Sequence, residues 1–484
     1  MKTILLYIVS LIIVTTHSIT AQTKLVAHDR SKGDCFGWSS AIYGDYAVVG
    51  APFKAQRMQG REFEEAGAVY IFKRVQGTGK WIEIQELQSQ EGYPYNWFGG
   101  AVSICGPNIV VGANGDGNDS TSGIRKGAAY MYHLEPDGVW KLSQKLILPK
   151  RNERDNFGKA VALSENYAVV AAPGYTDGYM QGSGSSGMVA IYKLEKPGNW
   201  KSLGLLRTNE KGAKGFGESV SISEHEVVVS LETSSKTYIY GIRALGAIEM
   251  DTALMPNDTS DLGFGPSVSI HKNTLIIGYK GEFGPFDGLE IPNTDSVMPY
   301  LVQMPDGAFQ SVNILNNKRI RDSAGISVSE FRSQAIPVES LKHRVARMAG
   351  AGTAYIYTKE KGRVWMLTQR ITAEDRNYDD HFGMSVSVFD SMAVVGAFGT
   401  KSKGKAGQTG YYSGAAYVFK LNKQGVWKQT EKLVSNLGEP WTKFGFSVGA
   451  STNKLIVGSR FESSDSRNVN PVKNAGAAYI YEKK

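Results

Sequence analysis

Residues able to do chemistry are easy to find in this chain and hard to gather. Downstream of the first twenty residues the histidines are His28, His133, His225, His271, His343 and His381, one to a region and never at metal-ligand spacing. There is no Gly-x-Ser-x-Gly elbow, and no pair of carboxylates recurs at a fixed place, so hydrolysis has no local signature. Gly182-Ser-Gly184-Ser-Ser-Gly187 matches a dinucleotide fingerprint in letters alone, because no βαβ unit surrounds it. One loop, containing Asn114, Asp116, Asn118 and Asp119, carries the oxygen-bearing side chains a hard cation wants, and a solvated turn is the competing reading. The residues best suited to recognition are aromatic: Tyr93, Tyr95 and Trp97; Tyr175 and Tyr179; Tyr378 with His381; Tyr411 and Tyr412; and Trp441. Aromatic faces cover sugar rings or anchor protein contacts.

What positions these groups is a repeat. Phe-Gly pairs begin at Phe36, Phe98, Phe157, Phe216, Phe264, Phe382 and Phe444, about sixty residues apart except for a double gap of 118 before Phe382. Within that gap Ala324-Gly-Ile-Ser-Val-Ser echoes Phe382-Gly-Met-Ser-Val-Ser, and Pro305-Asp-Gly-Ala-Phe309 echoes Pro136-Asp-Gly-Val-Trp140. Splitting the gap at Ala324 gives eight units. Each unit shows four short strand signals: Phe382-Gly-Met-Ser-Val-Ser-Val, Met392-Ala-Val-Val-Gly-Ala, Gly414-Ala-Ala-Tyr-Val-Phe and Trp427 to Leu433 in the clearest copy. Four strands per unit, repeated radially, predict an all-β propeller of eight blades. Seven blades, with a long excursion from Gly281 to Gly350, is the alternative, since Pro337 interrupts a would-be strand there.

The ends of the chain predict closure. Leu87, Leu146, Ile371 and Leu433 each stand eleven residues before the next Phe of the repeat, and so does Leu25 before Phe36. The last unit stops after its third strand, so the N-terminal segment is expected to supply the missing fourth and leave no open edge. Residues 22–484 are then one propeller with no second domain. Ahead of them Lys2, the apolar run Ile4 to Val14 and the small Ala21 read as a secretory leader, 1–21, cut after Ala21 and too short to span a bilayer.

Phe36-Gly37 followed by Gly50-Ala51-Pro52 resembles the FG-GAP repeat of integrin α-chain propellers. The fuller pattern of Phe-Gly, Val-Val-Gly-Ala, Gly-Ala-Ala-Tyr-Val-Phe and Trp is similar to bacterial secreted relatives. The resemblance implies the fold and a partner-binding rim made by the loops joining second to third strands and one blade to the next. It also implies calcium loops between first and second strands. Here those loops are brief (Tyr43-Gly-Asp-Tyr46, Cys105-Gly-Pro-Asn108, Ser164-Glu-Asn-Tyr167, Phe389-Asp-Ser-Met392) and lack the carboxylates. No cofactor is therefore expected, and calcium is not supported.

Composition sets the remaining bounds. Hydrophobic content of 42% and charged content of 21% fit a folded globular chain. The net charge of +8 is scattered, without the arginine tracts of a nucleic-acid binder, and suits an acidic glycan or anionic surface better. Two cysteines, Cys35 and Cys105, are too few for a disulfide scaffold, and the repeat register keeps them apart. The expectation is a secreted or surface-associated monomer, not an enzyme, that binds an extracellular protein or glycan through one rim. The alternatives are a carbohydrate-active enzyme, lyase or hydrolase, with its site at the central channel, or a structural envelope protein.

Overall fold

A computed structural model describes residues 19–483 apart from 92, 118–125, 151–152, 177–185, 211–212, 232–235, 256–263, 280–299, 304–308, 313–335, 338–349, 360–363, 404–408, 436 and 468. Among the described residues seven four-stranded antiparallel sheets form the blades, and the first strand of each touches the first strands of its two neighbours, so the ring is closed. Blade 6 is typical, with strands Phe382–Phe389, Met392–Ala397, Ala415–Leu421 and Trp427–Leu433 in that order from the axis outward.

The strand sequences follow their positions. Second strands such as Tyr46–Ala51 lie mid-sheet with blades packed on both faces, so Val48, Val49 and Ala51 are fully buried and the run is apolar throughout. Fourth strands form the outer edge, and Trp427–Leu433 alternates buried and exposed, with Lys and Glu outward, which blunts edge-to-edge pairing. Their leading tryptophans are clamped by the blade before. The Gln85 side chain donates to the Trp140 carbonyl (2.7 Å) and accepts from its N–H (2.9 Å). Gln144 does the same for Trp200, and Gln369 for Trp427.

The blade count corrects the sequence-based expectation of eight. The strands Phe264–His271 and Thr274–Tyr279 do not close a sheet with the residues that follow them. Thr274–Tyr279 pairs with Thr353–Lys359 (Thr274 opposite Thr358), and Trp365–Ile371 completes that blade. Two supposed units are thus one blade with a long insertion between its second and third strands. The described strands inside the insertion, Tyr300–Gln303, Phe309–Val312 and Ile336–Pro337, pair with one another in a sheet of three. The echo at Ala324 lies outside the described residues. A cavity of about 670 Å³ at one end of the axis confirms the count, since residues ending the inner strands of all seven blades line it, from Tyr43 and Cys105 to Phe389 and Ser451. Cys35 and Cys105 are both free.

Closure occurs as expected. Ile19–Leu25 pairs antiparallel with Ala477–Lys483 (Gln22 opposite Tyr481, Leu25 opposite Ala478) as the outer strand of the last blade. The join holds a buried ion pair: Lys24 Nζ lies 3.0 Å from Glu462 Oε1, with side chains 3% and 0% exposed, and Glu462 also accepts from the Ser459 and Ser464 hydroxyls. Removing one partner of such a pair strands a charge in the interior, whereas removing both does not. Lys24→Met is expected to lower unfolding free energy by about 3 kcal/mol, and Lys24→Met/Glu462→Gln to recover most of it, as read by urea denaturation.

Candidate ligand site at the mouth of the central channel

The Phe-Gly entry to each inner strand decides what faces the axis. In blades 1, 2, 4 and 6 the Phe is buried against two aromatics of its own third strand; Phe98, for example, lies 5.3 Å from Tyr130 and 6.3 Å from Tyr132. The Gly has left-handed φ (+88° at Gly37), and a Cβ there would collide with the Ala477 carbonyl of the neighbouring blade. With Phe and Gly committed to packing, the residues around them are left to line the mouth. These are the residue before Phe, the one after Gly, and the two after the second strand.

On one side of the mouth those positions make a continuous aromatic belt across blades 6, 7, 1 and 2. His381 stacks on Phe398 (4.8 Å, 22°), Phe398 meets Phe446 (5.7 Å), and Phe446 meets Trp38 (5.0 Å). Trp38 in turn meets Phe53 (5.0 Å), which faces Trp97 (6.4 Å). All six are half-buried. Beside Trp38, Phe53 and Trp97 opens a cavity of about 560 Å³ that is also lined by Asn114, Asn156, Lys159, Lys214 and Glu218. Rings for stacking beside amide, ammonium and carboxylate groups form the usual composition of a small-ligand site.

Two cations stand among the rings. The Arg460 guanidinium lies 3.8 Å from the Phe446 centroid, 4.5 Å from Trp38 and 4.6 Å from Phe461. Burial pulls its pKa down to about 10. Lys443 Nζ lies 5.1 Å from Phe398 and 5.5 Å from Phe461, and burial together with the Arg460 charge lowers its pKa.

The structure distributes the aromatic residues singled out in the sequence. Trp97 lines the cavity, its indole N–H donating to Glu65 (2.8 Å). Tyr93 and Tyr95 are exposed, and the Tyr95 hydroxyl donates to Glu64. His381, Tyr412 and Trp441 come together: Trp441 stacks on Tyr412 (4.7 Å, 11°), the Tyr412 hydroxyl donates to Asp379, and Asp379 pairs with His381 (2.8 Å). That bond to a carboxylate pushes the Tyr412 hydroxyl up to about 12. Tyr411, with Lys401 over its ring, and Tyr378 are exposed on the same rim. Tyr175 is instead buried between blades 2 and 3, and Tyr179 lies outside the described residues. Trp38, Phe53, Phe398, Phe446, Phe461, Arg460 and Lys443 were missed by sequence reasoning. The signal available was register: they flank the recurrent Phe-Gly pair and the end of the second strand, where residue type changes from unit to unit.

Few places suit a metal. Asp116 is buried, accepts from the Tyr130 hydroxyl (2.5 Å) and lies 3.0 Å from Lys145 Nζ, so an ammonium already neutralises it. Asn114 lines the cavity, and Asn118 and Asp119 lie outside the described residues. Among the described residues His28, Asp29 and Glu86 offer ligand atoms within 4.8 Å of one another and could hold an ion. His28 is, however, bonded to Glu83 (2.6 Å), and Asp29 to Lys54 (2.8 Å) and Tyr70 (2.7 Å).

A second hidden feature of the repeat is a short polar residue two before Phe, buried in Asp34, Asn96, Asp155, Asp380 and Thr442. Asp34 accepts the Ser31 N–H and Asp380 the Asn377 N–H, both at 2.7 Å, tying down the loop that aims the next side chain. Asp380 is 2% exposed, and burial pushes its pKa up to about 7. The folded state therefore holds a proton that the unfolded chain loses near its ordinary pKa of 3.8. This contribution is greatest at low pH and is lost as pH rises through about 7. Asp380→Asn, which copies Asn96, is expected to raise stability at pH 8 by on the order of 2 kcal/mol and to flatten its pH dependence between 4 and 7, measured by urea melts across that range.

Three comparisons with known proteins complete the description. No curated protein matches the sequence. Among solved structures the chain is similar to a protein of Lactobacillus plantarum at 11% identity, with a TM-score of 0.43, over 83% of this chain and 86% of that one. It is also similar to a proposed 6-phosphogluconolactonase of Bacteroides uniformis at 8% identity, with a TM-score of 0.44 and the same coverages, 83% and 86%. Likenesses this distant carry no activity over to this chain. The expectation that the chain is not an enzyme is withdrawn, because a propeller scaffold serves enzymes as well as binding proteins; the second structure is described as an enzyme. The FG-GAP repeat profile matches residues 19–72, 81–132, 140–192, 365–419 and 427–481, running each time from one blade's outer strand through the third strand of the next. These matches cover more than half of the sequence, and the chain belongs to the FG-GAP repeat family.

Proposed function

We propose that this protein is a carbohydrate-active propeller that takes a saccharide at the mouth of its central channel. The observation supporting this most directly is the unbroken belt of rings from His381 to Trp97 beside a cavity rich in hydrogen-bonding groups. The C–H faces of pyranose rings lie on aromatic faces, while their hydroxyls need amide, carboxylate and ammonium partners such as Asn114, Asn156, Glu218 and Lys159. The stack of exposed Trp441 on half-buried Tyr412 extends the platform outward, which suits an oligosaccharide better than a single sugar.

Backbone strain supports the same place. Trp97, Asn156, His381 and Lys443, each just before Phe, are held at φ between +53° and +55°, which costs most residues about 1 kcal/mol. Blade 4 uses Gly215 at this position. Retaining large side chains where glycine is easier points to a role for the side chains. We further propose that residues 1–21 are a secretory leader and that the ring acts outside the cell as a monomer on an extracellular glycan. Among the described residues no helix is long and apolar enough to cross a membrane.

Titration calorimetry against a panel of oligosaccharides tests this reading. Trp38→Ala and Trp97→Gly are expected to weaken binding about tenfold or more, ~1.4 kcal/mol, with Trp97→Gly melting no lower than the parent. New reducing ends or unsaturated products in the same mixtures, lost in Glu218→Gln, would report turnover. Failure of every glycan to bind would overturn the proposal.

A further inference from the structure

The two cations at the mouth make cation–π contacts with its rings but have no counter-charge of their own. Among the described residues neither Arg460 nor Lys443 has an ion-pair partner, and Arg460 Nε is buried without a hydrogen bond. The carboxylate acting on Lys443 is Asp379, already engaged by His381 and Tyr412. The group acting on Arg460 is the buried thiol of Cys35, which burial pushes up to about 12 and so keeps neutral. Both cations are partly desolvated against the same rings, and each would be easier to hold with a negative charge between them.

We propose that Arg460 and Lys443 form an anion subsite in the belt, placed to take the charged group of an acidic sugar whose ring lies on Trp38 and Phe446. The Arg460 guanidinium sits 4.5 Å from Trp38 and 3.8 Å from Phe446, so stacking and charge recognition fall within one sugar's reach. A guanidinium fixed between rings keeps its donor edge free for a planar carboxylate or a sulfate, and an ammonium adds a second point charge. The scattered excess of +8 charges favours approach of such a ligand. This inference rests on the saccharide reading and narrows it to a polyanionic glycan, with charge supplied by uronate or by sulfate.

The test titrates the full-length folded protein with matched oligomers: oligogalacturonate, a sulfated galactan and a neutral galactan. At least one acidic oligomer is expected to bind about tenfold more tightly than the neutral one, and to weaken as salt is raised. Tighter binding of oligogalacturonate assigns the charge to carboxylate, and of the sulfated galactan to sulfate. Lys443→Gly should keep the fold, because glycine suits that left-handed position, and should cut the preference for acidic over neutral oligomers about fivefold or more. Arg460→Gln, checked by its melt, should do the same. Neutral and acidic oligomers binding equally, or a preference surviving both substitutions, would overturn the subsite and leave the saccharide reading intact. Binding of none would overturn both.

Discussion

Neighbouring blades meet at a backbone contact that permits no side chain, and most of the molecule can be understood from it. Phe36 bridges to Gly476 of the blade before, and the same parallel bridge recurs at Phe157, Phe216, Phe382 and Phe444. At each such place except Gly217, where side chains stand in the way, two glycines face two carbonyls and a methyl group on either would strike a backbone atom. This closeness brings the apolar faces of adjacent sheets together, so the core is divided into seven layers rather than one. The layer between the last and first blades, with Leu25, Phe36, Val49, Tyr70 and Ile480, is built like the others. No single interface is special, and the ring is as strong as its weakest layer.

The same contact explains why variation collects at the mouth. Phe and Gly cannot change without opening the blade interface, and the apolar second strands cannot change without emptying a layer. The residue after Phe-Gly has no such duty. It is Trp38 in one blade, Gly100 in the next, then Lys159, Glu218, Pro266, Met384 and Phe446. A ring of equivalent positions filled differently makes an asymmetric surface from a symmetric scaffold, which lets a rigid fold present a directional site.

Legibility in the sequence follows the same division. The four-strand unit, the closing N-terminal strand and the buried Phe were readable because they recur with the chemistry of burial, and recurrence at fixed spacing is visible in one dimension. The blade count failed at residues 280–352, where the insertion happens to be close to one repeat long and Ala324-Gly-Ile-Ser-Val-Ser imitates an inner strand. Strand pairing is not local, and only the partnering of Thr274 with Thr358 separates an insertion from a worn blade. Of the aromatic residues singled out in the sequence, Trp97 and His381 lie at the mouth. The belt itself was invisible because Phe398, Phe446, Trp38 and Phe53 are far apart in sequence and each resembles an ordinary core aromatic. Tyr175 shows the converse: a loop aromatic with every outward sign of availability that turns inward to pack.

Closure by the first strand also imposes an order in time. Gln22 hydrogen-bonds Tyr481 and Lys24 reaches Glu462, so these two residues wait for partners synthesised 459 and 438 residues later. Six sheets can assemble from contiguous stretches as the chain emerges, whereas the seventh must wait until all the others have been synthesised. Until then its third strand has a bare edge and the N-terminal strand has nothing to pair with, the two surfaces most prone to capture by another copy. Speed of docking at this one seam therefore governs the yield of intact rings, and an exchange of first strands between two chains is the misassembly this architecture must outrun.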